Sequence, residues 1–414
     1  MRPALSVPSR LVAASLIDWT GTGFYLAISA IFLTRSVGLT PGQVGLALAG
    51  AGLVAFAGSV HVARLGDRYG HRSALIVLHL ARAAAFAGLS AVHGLPATLA
   101  MLGAIALADQ ASASVTQALA SELAGPAGRV PLMARLRVVT NIGITLGTVP
   151  AGIVLAGHGG AFGVLLVANA ASYLGAAAIV ATLPRAGGHR VAAAAPRRLL
   201  IPSAPTTALI AIDGLLSMWN VVLNVGLPLW LLQATAASPA LVAVLYATNT
   251  VVAVVLQVRV SRSIRSYVGA ARAQRLAGLL LAACCVCLAA AVLGGREVST
   301  AVLAVAVLCL TLGELLKVSS AWQITFALAP AGRSAEFFAT YGLGKVAFQV
   351  CGPVLITAVV LALGTAGWLL LALAFVIGSL ATPAAARRAQ ARPIVTRTPT
   401  GPPGLAPLVA QPAY

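Results

Sequence analysis

Four of the eight acidic residues in this 414-residue chain, Asp18, Asp109, Asp213 and Glu314, fall inside long apolar runs. A charged side chain within hydrocarbon costs on the order of 3 kcal/mol or more, so such a residue faces a water-filled cavity or a partner of opposite sign. A carboxyl group held away from water keeps its proton more tightly and can trade it near neutral pH. The chemistry on offer is substrate contact or proton exchange, with Asp18 and Asp109 the first candidates for coupling. Simple charge pairing is the competing use. Lys317 lies one turn from Glu314 on the same helical face and would neutralise it. Arg82, midway along another apolar run, would do the same for Asp109.

The residues around these acids are spaced as helix faces. Steps of +4, +7 and +11 from Asp18 give Thr22, Tyr25 and Ser29; from Asp213 they give Ser217, Asn220 and Asn224. Gln110, Ser112, Ser114, Thr116 and Gln117 follow Asp109, enough to line an aqueous surface. Hydroxyls in membrane helices also bond backbone carbonyls, so each alone says little. Tyr25, Trp219 and Trp322 are candidate apolar or stacking contacts for a substrate. The stretch NIGITLGTVPAGI carries Gly143, Gly147, Pro150 and Gly152. Small residues four apart let helices approach closely and Pro bends them, which suits a packed helix that also gates.

Other chemistry is missing. The cysteines at 284, 285, 287, 309 and 351 have no His or acid beside them, so packing rather than metal binding is expected. In GLGK, Gly342 to Lys345, Val346 stands where a phosphate loop needs Ser or Thr, and neither H-E-x-x-H nor G-x-S-x-G occurs. The chain is therefore not expected to be an enzyme, to use a cofactor or to be driven by ATP.

Long helices must position these residues. The chain is 60% hydrophobic and only 8% charged, against about 25% charged in a soluble domain. Twelve apolar runs, near 11–34, 42–63, 73–94, 96–121, 136–157, 161–183, 206–232, 239–260, 271–293, 299–327, 338–363 and 365–382, are each long enough to cross ~30 Å of hydrocarbon. The net charge of +19 is not interleaved with aromatics and accompanies no nucleic-acid signature. It is topogenic. Twenty-two arginines fall on one side of the alternating runs, against Arg35 and Arg296 on the other, which places both termini in the cytoplasm. The run behind Arg2 and Arg10 passes through Asp18 and Trp19 without a cleavage site, unlike a signal peptide.

Six runs precede the longest connection, 184–205, and six follow it, giving bundles over 1–183 and 206–383 and a disordered tail over 384–414. The halves resemble each other. Asp18 aligns with Asp213 and Asp109 with Glu314, and each acid of the second pair is followed by the tetrapeptide PAGR, at Pro126–Arg129 and Pro330–Arg333. Internal duplication about an axis along the membrane normal is one of the transporter architectures.

The connection between the second and third runs reads ARLGDRYGHR, Ala63 to Arg72. It resembles the G-x-L-a-D-R-x-G-R-R signature of the major facilitator superfamily at that same loop. Leu65, Asp67, Arg68, Gly70 and Arg72 match; Ala63 replaces the first Gly and His71 a basic residue. The six-plus-six organisation extends the resemblance to about residue 383. It implies an all-α fold of twelve transmembrane helices in two pseudo-symmetric bundles, with spans 1, 4, 7 and 10 lining a central cavity. Those are the spans that hold the four acids. The segment at Gly143–Gly152 is similar to the Gly/Pro motif of proton-driven exporters in the family, and an acid in span 1 to its multidrug:proton antiporters. The Arg often found in span 4 of such antiporters is replaced by Asp109-Gln110. By the same resemblance, Asp67, Arg68, Gly70 and Arg72 form a conformational latch. Asp67 would pair with an Arg or a helix N-terminus across the bundle interface.

The expectation is a monomeric, multi-pass protein of the cytoplasmic membrane that couples proton movement to export of small amphipathic drugs or metabolites, cationic or neutral, without nucleic-acid partners. A proton-coupled importer of a small solute is the alternative, and a non-transporting sensor or scaffold a weaker one.

Overall fold

The computed structural model describes residues 6–157, 162–184, 200–235 and 241–391. Among them the chain is helical throughout, in twelve spans. These are α1 (Val7–Ile31, with a π-helical extension Phe32–Ser36), α2 (Pro41–Tyr69) and α3 (His71–Leu89). The helix Leu95–Gly157 breaks at Gly125 into α4 and α5, and α6 is Phe162–Ala181. In the second half, α7 starts as Ala204–Leu216 and continues, through a turn and a π-helical segment, to Leu227–Ala234. Then come α8 (Leu241–Ser263), α9 (Tyr267–Ala290) and α10 (Arg296–Leu328). The last are α11 (Ser334–Val354, extended by π-helical Leu355–Leu361) and α12 (Thr365–Ala391).

The connections explain where the spans depart from their sequence boundaries. Gly125 has φ +63 and ψ −178, open to Gly alone, and Pro126 follows in the first turn of α5, where its missing N–H costs nothing. Hence α5 starts some ten residues before the apolar run near 136. The two copies of PAGR do not share a conformation. The first is helical, whereas in the second Gly332 turns the chain at φ +71 ahead of α11. The duplication is carried by the helices, not by that tetrapeptide. At the other end, α12 continues through Pro383 to Ala391, so residues 384–391, expected in a disordered tail, are helical. The rest of that tail and most of the expected linker, 185–199, lie outside the described residues.

Glycines set the closest helix contacts. A Cβ at Gly143 would stand 2.9 Å from Trp19 Cβ and 3.0 Å from the Leu16 carbonyl oxygen. One at Gly147 would clash with the Thr20 carbonyl, so α5 lies directly on the α1 backbone. The second half repeats the device, with Gly344 of α11 against the Ile210 carbonyl of α7 and Gly214 of α7 against Gly344. Gly147→Val is therefore expected to prevent folding, read as loss of monodisperse protein after extraction. Gly163→Ala, with open space around its Cβ, should leave the yield unchanged.

Three apolar cores give the shape. One joins both bundles at the end where α1 starts and α12 ends, and contains Leu75, Val115 and Leu132 with Leu209, Phe337 and Ala386. The other two stay within one half each, around Ile28, Phe86 and Leu166, and around Trp230, Leu303 and Trp368. The bundles are thus packed together at the Arg-rich end and separate toward the opposite end. The resulting cleft is open on one side.

Candidate functional site

The four acids of the apolar runs sit in α1, α4, α7 and α10, and a basic side chain meets each of them. In the first bundle Arg82 of α3 is the hub. Its guanidinium lies 3.0 Å from Asp18 Oδ1 and 2.5 Å from Asp109 Oδ1. It donates to the Tyr173 hydroxyl of α6 at 2.9 Å and stands 4.0 Å above that ring's centroid. Thr22 Oγ1 lies 3.1 Å from the same hydroxyl, so the helix face that starts at Asp18 does converge on this group. Arg82 is 4% exposed and Asp18 13%, but the Asp109 side chain is 44% exposed deep within the molecule. Asp109 therefore opens onto the central cleft, and Asp18 is enclosed behind it. Tyr25 packs edge-on to Phe86 at 4.9 Å, and its hydroxyl has no hydrogen-bond partner among the described residues.

In the second half the expected pairing of Lys317 with Glu314 does not form. Lys317 Nζ instead bonds Asp213 Oδ2 at 3.1 Å and Ser217 Oγ at 2.6 Å, both on α7. Residues three apart on α10 diverge by about 60° around the axis, and when both are buried each follows the neighbour it points at. Glu314, 4% exposed, takes Arg137 of α5 at 2.6 Å and the Asn249 amide of α8 at 3.1 Å. The Arg137 guanidinium also stands 5.6 Å over the Trp219 ring. This pair crosses between the bundles. Arg137 counts in the sequence only as topogenic charge, and its role emerges from α5 starting early and carrying it inward.

Gln110 faces α11, its amide 3.6 Å from where a Cβ on Gly342 would be. The Asn220 carbonyl accepts from the Asn224 amide at 2.7 Å, next to the π-helical segment of α7, where the regular ladder is interrupted. Trp322 is not brought to the acids; it packs against the shared core at the closed end. Gly143 and Gly147 pack α5 on α1, and Pro150 and Gly152 lie further along α5.

At the closed end Asp67 accepts from the backbone N–H groups of Ala335 at 3.0 Å and Glu336 at 2.8 Å, the first turn of α11 across the interface. A carboxylate there offsets the positive end of the helix dipole. Gly70, at φ +94, lets α2 turn directly into α3. Arg72 and Arg68 stay in the first bundle. Arg72 donates to the carbonyls of Val180 and Ala181, capping α6, and Arg68 stands 5.4 Å over the Tyr69 ring. The remaining partners were not anticipated. His71 lies 2.9 Å from Asp67 and 2.7 Å from Glu122, while Glu336 bonds Arg333, Arg64 and the Leu200 N–H. One signal was available: three of the four acids outside the apolar runs, Asp67, Glu122 and Glu336, lie at ends on the Arg-rich side.

Two helical bundles around a charged central cleft define a membrane transporter. The comparisons agree. Residues 11–353 match the family model of the Major Facilitator Superfamily, and the chain belongs to that family. A search of curated proteins gave no significant match. Among solved structures, the chain is similar to a bacterial homologue of the iron transporter ferroportin in its outward-facing state. The TM-score is 0.73 at 15% identity, covering 94% of this chain and 100% of that one. It is also similar to the human organic anion transporter MFSD10 (TETRAN), with TM-score 0.68, 16% identity and coverage of 91% and 98%. For the nucleoside transporter NupG the TM-score is 0.55 at 13% identity, with coverage of 93% and 100%.

Proposed function

We propose that this chain is a proton-coupled exporter of small amphipathic compounds that works by alternating access. One observation carries the reading: a single guanidinium, Arg82, is shared by two carboxylates, of which Asp109 is open to the cleft and Asp18 is enclosed. With both acids ionised the group bears one surplus negative charge. A proton taken up by Asp109 from the cleft leaves Arg82 to Asp18 and makes the group neutral, which lowers the cost of enclosing it away from water. A substrate occupying the Asp109 side favours the proton's release. Occupancy by proton and by substrate then alternate, as exchange requires.

Loop charge orients the cycle. With the Arg-rich end cytoplasmic, the closed face points inward, both termini are cytoplasmic and the cleft opens outward. Asp67 on the first turn of α11 supports a latch that holds this state. Arg137–Glu314, a charged bond between the bundles, would break and re-form as they rock.

The test is transport in proteoliposomes under an imposed pH gradient, with cationic, neutral and anionic dyes. Asp109→Asn is expected to abolish pH-driven movement while leaving downhill exchange measurable. A folded Asp109→Asn protein with full pH-driven transport would remove the coupling assignment. Substrate moving in the same direction as the proton would make the chain an importer.

A further inference from the structure

Both lysines of the chain lie in the second half. Lys317 is buried and bonded to Asp213 and Ser217. Lys345 of α11 differs. Among the described residues it makes no hydrogen bond or ion pair, and the rest of the protein leaves its side chain uncovered. It lies eleven residues past the start of α11 at Ser334, on the order of 16 Å along the axis. That is near the middle of a ~30 Å hydrocarbon layer, too deep for a lysine to reach the headgroups by extending along its helix.

The direction Lys345 faces follows from its neighbours. Gly342, three residues earlier and about 60° around the helix, lies against Gln110 of α4, in the opposite bundle and adjacent in sequence to Asp109. Lys345 is also within electrostatic reach of Lys317, Arg137 and Asp213, which line the interior. The exposed ammonium therefore opens onto the cleft and not onto lipid. An unpaired charge at this depth is retained only where a ligand or water compensates it.

A count of charge separates the two walls. Arg137 of the first bundle and Glu314 of the second cancel across the interface, and Lys317 is matched by Asp213, so with that crossing pair set aside Lys345 leaves the second-bundle wall with one positive charge in surplus. The opposite wall, with Asp18 and Asp109 around Arg82, has one negative charge in surplus, and Asp109 is its exposed member. The cleft is bipolar.

We infer that Lys345 anchors an anionic group of the transported molecule, and that the substrate is a zwitterionic amphipath whose cationic end faces Asp109. This rests on the transport reading above and narrows it. It also departs from the cationic or neutral substrates expected from four buried acids, because each acid already has a base beside it. The cationic end competes with the proton at Asp109, and the anionic end sets which molecules are accepted. An ammonium is repelled by Lys345 and attracted by Asp109 on the opposite wall, so the molecule enters in one orientation.

The test uses two dyes that differ only at the anionic end: rhodamine 110, with a free carboxylate, and its methyl ester rhodamine 123. Binding to the purified full chain is read by fluorescence polarisation without any pH gradient. The parent is expected to bind rhodamine 110 about tenfold more tightly than the ester, the scale of one hydrogen bond to a charged group. Lys345→Gln should erase that difference, and Lys345→Arg, which keeps the charge, should retain most of it. Asp109→Asn should weaken both dyes alike. Equal affinities in the parent, or a preference that survives Lys345→Gln in a protein with unchanged gel-filtration profile, would overturn the anchor. Binding of both dyes unaffected by Asp109→Asn would remove the cationic end. These are equilibrium measurements, so a protein that discriminates the dyes through Lys345 but ignores a pH gradient would refute proton coupling and leave the anchor standing.

Discussion

Arg82→Met is expected to abolish pH-driven transport and to lower the thermal unfolding midpoint of the purified protein. The substitution strands Asp18 and Asp109 and leaves the Tyr173 hydroxyl without its donor. Breaking a buried ion pair by removing one partner costs roughly 3–5 kcal/mol, mostly from the charge left uncompensated. Here the lower end applies, because Asp109 is half open to water and Asp18 bears the loss. Protonation of the stranded acids limits the damage but removes the exchangeable charge. A second variant separates structure from coupling. Arg82→Met combined with Asp18→Asn and Asp109→Asn removes all three charges at once, and neutral replacement of a complete buried group is often close to neutral for stability. That triple variant should regain much of the unfolding midpoint and still fail to respond to a pH gradient. If Arg82→Met alone transported normally, the three-membered group would be a packing device and the proposed mechanism would be wrong.

Asp67→Asn is expected to open the closed end. The carboxylate satisfies two N–H groups in the first turn of α11 and sits at the positive end of its dipole. An amide keeps one acceptor, presents a donor to the other N–H and removes the charge. The loss in a partly buried setting is roughly 1–2 kcal/mol, which corresponds to a shift of about fivefold to thirtyfold in the ratio of open to closed molecules. Spin labels at exposed Tyr69 and Ser263, on opposite bundles at this end, would read the shift as a longer inter-bundle distance. Membrane insertion should be unchanged, since Arg64, Arg68 and Arg72 keep the loop charge. An unaltered distance distribution and a normal transport rate would reduce ARLGDRYGHR to an orientation signal.

Much of this fold was legible because a membrane protein must announce its spans. Each helix needs some twenty apolar residues, and interruptions by Arg mark where the chain emerges. The boundaries that moved did so for local reasons: Gly125 with Pro126 started α5 early, and an alanine-rich run carried α12 past Pro383. The acids were legible as functional candidates from their cost alone. Their partners were not. Arg82 reaches Asp18 across 64 positions, and Arg137 reaches Glu314 across 177. Lys317 illustrates the limit, since helical proximity pointed to Glu314 and tertiary packing delivered Asp213.

The amino-acid pattern alone established that this chain crosses a membrane in many helices, that positive charge gathers at one end of them, and which four helices carry acids. Those follow from hydropathy, loop charge and helical period, all properties of neighbouring residues. It took the packed helices to show that Arg82 serves two acids, that Asp67 caps a helix of the other bundle, and that Lys345 has no ion-pair partner among the described residues. Each of these depends on how helices far apart in the chain are rotated against one another. That rotation is set by the close approach of glycines and by the matching of buried charges, and no local stretch contains both sides of either contact.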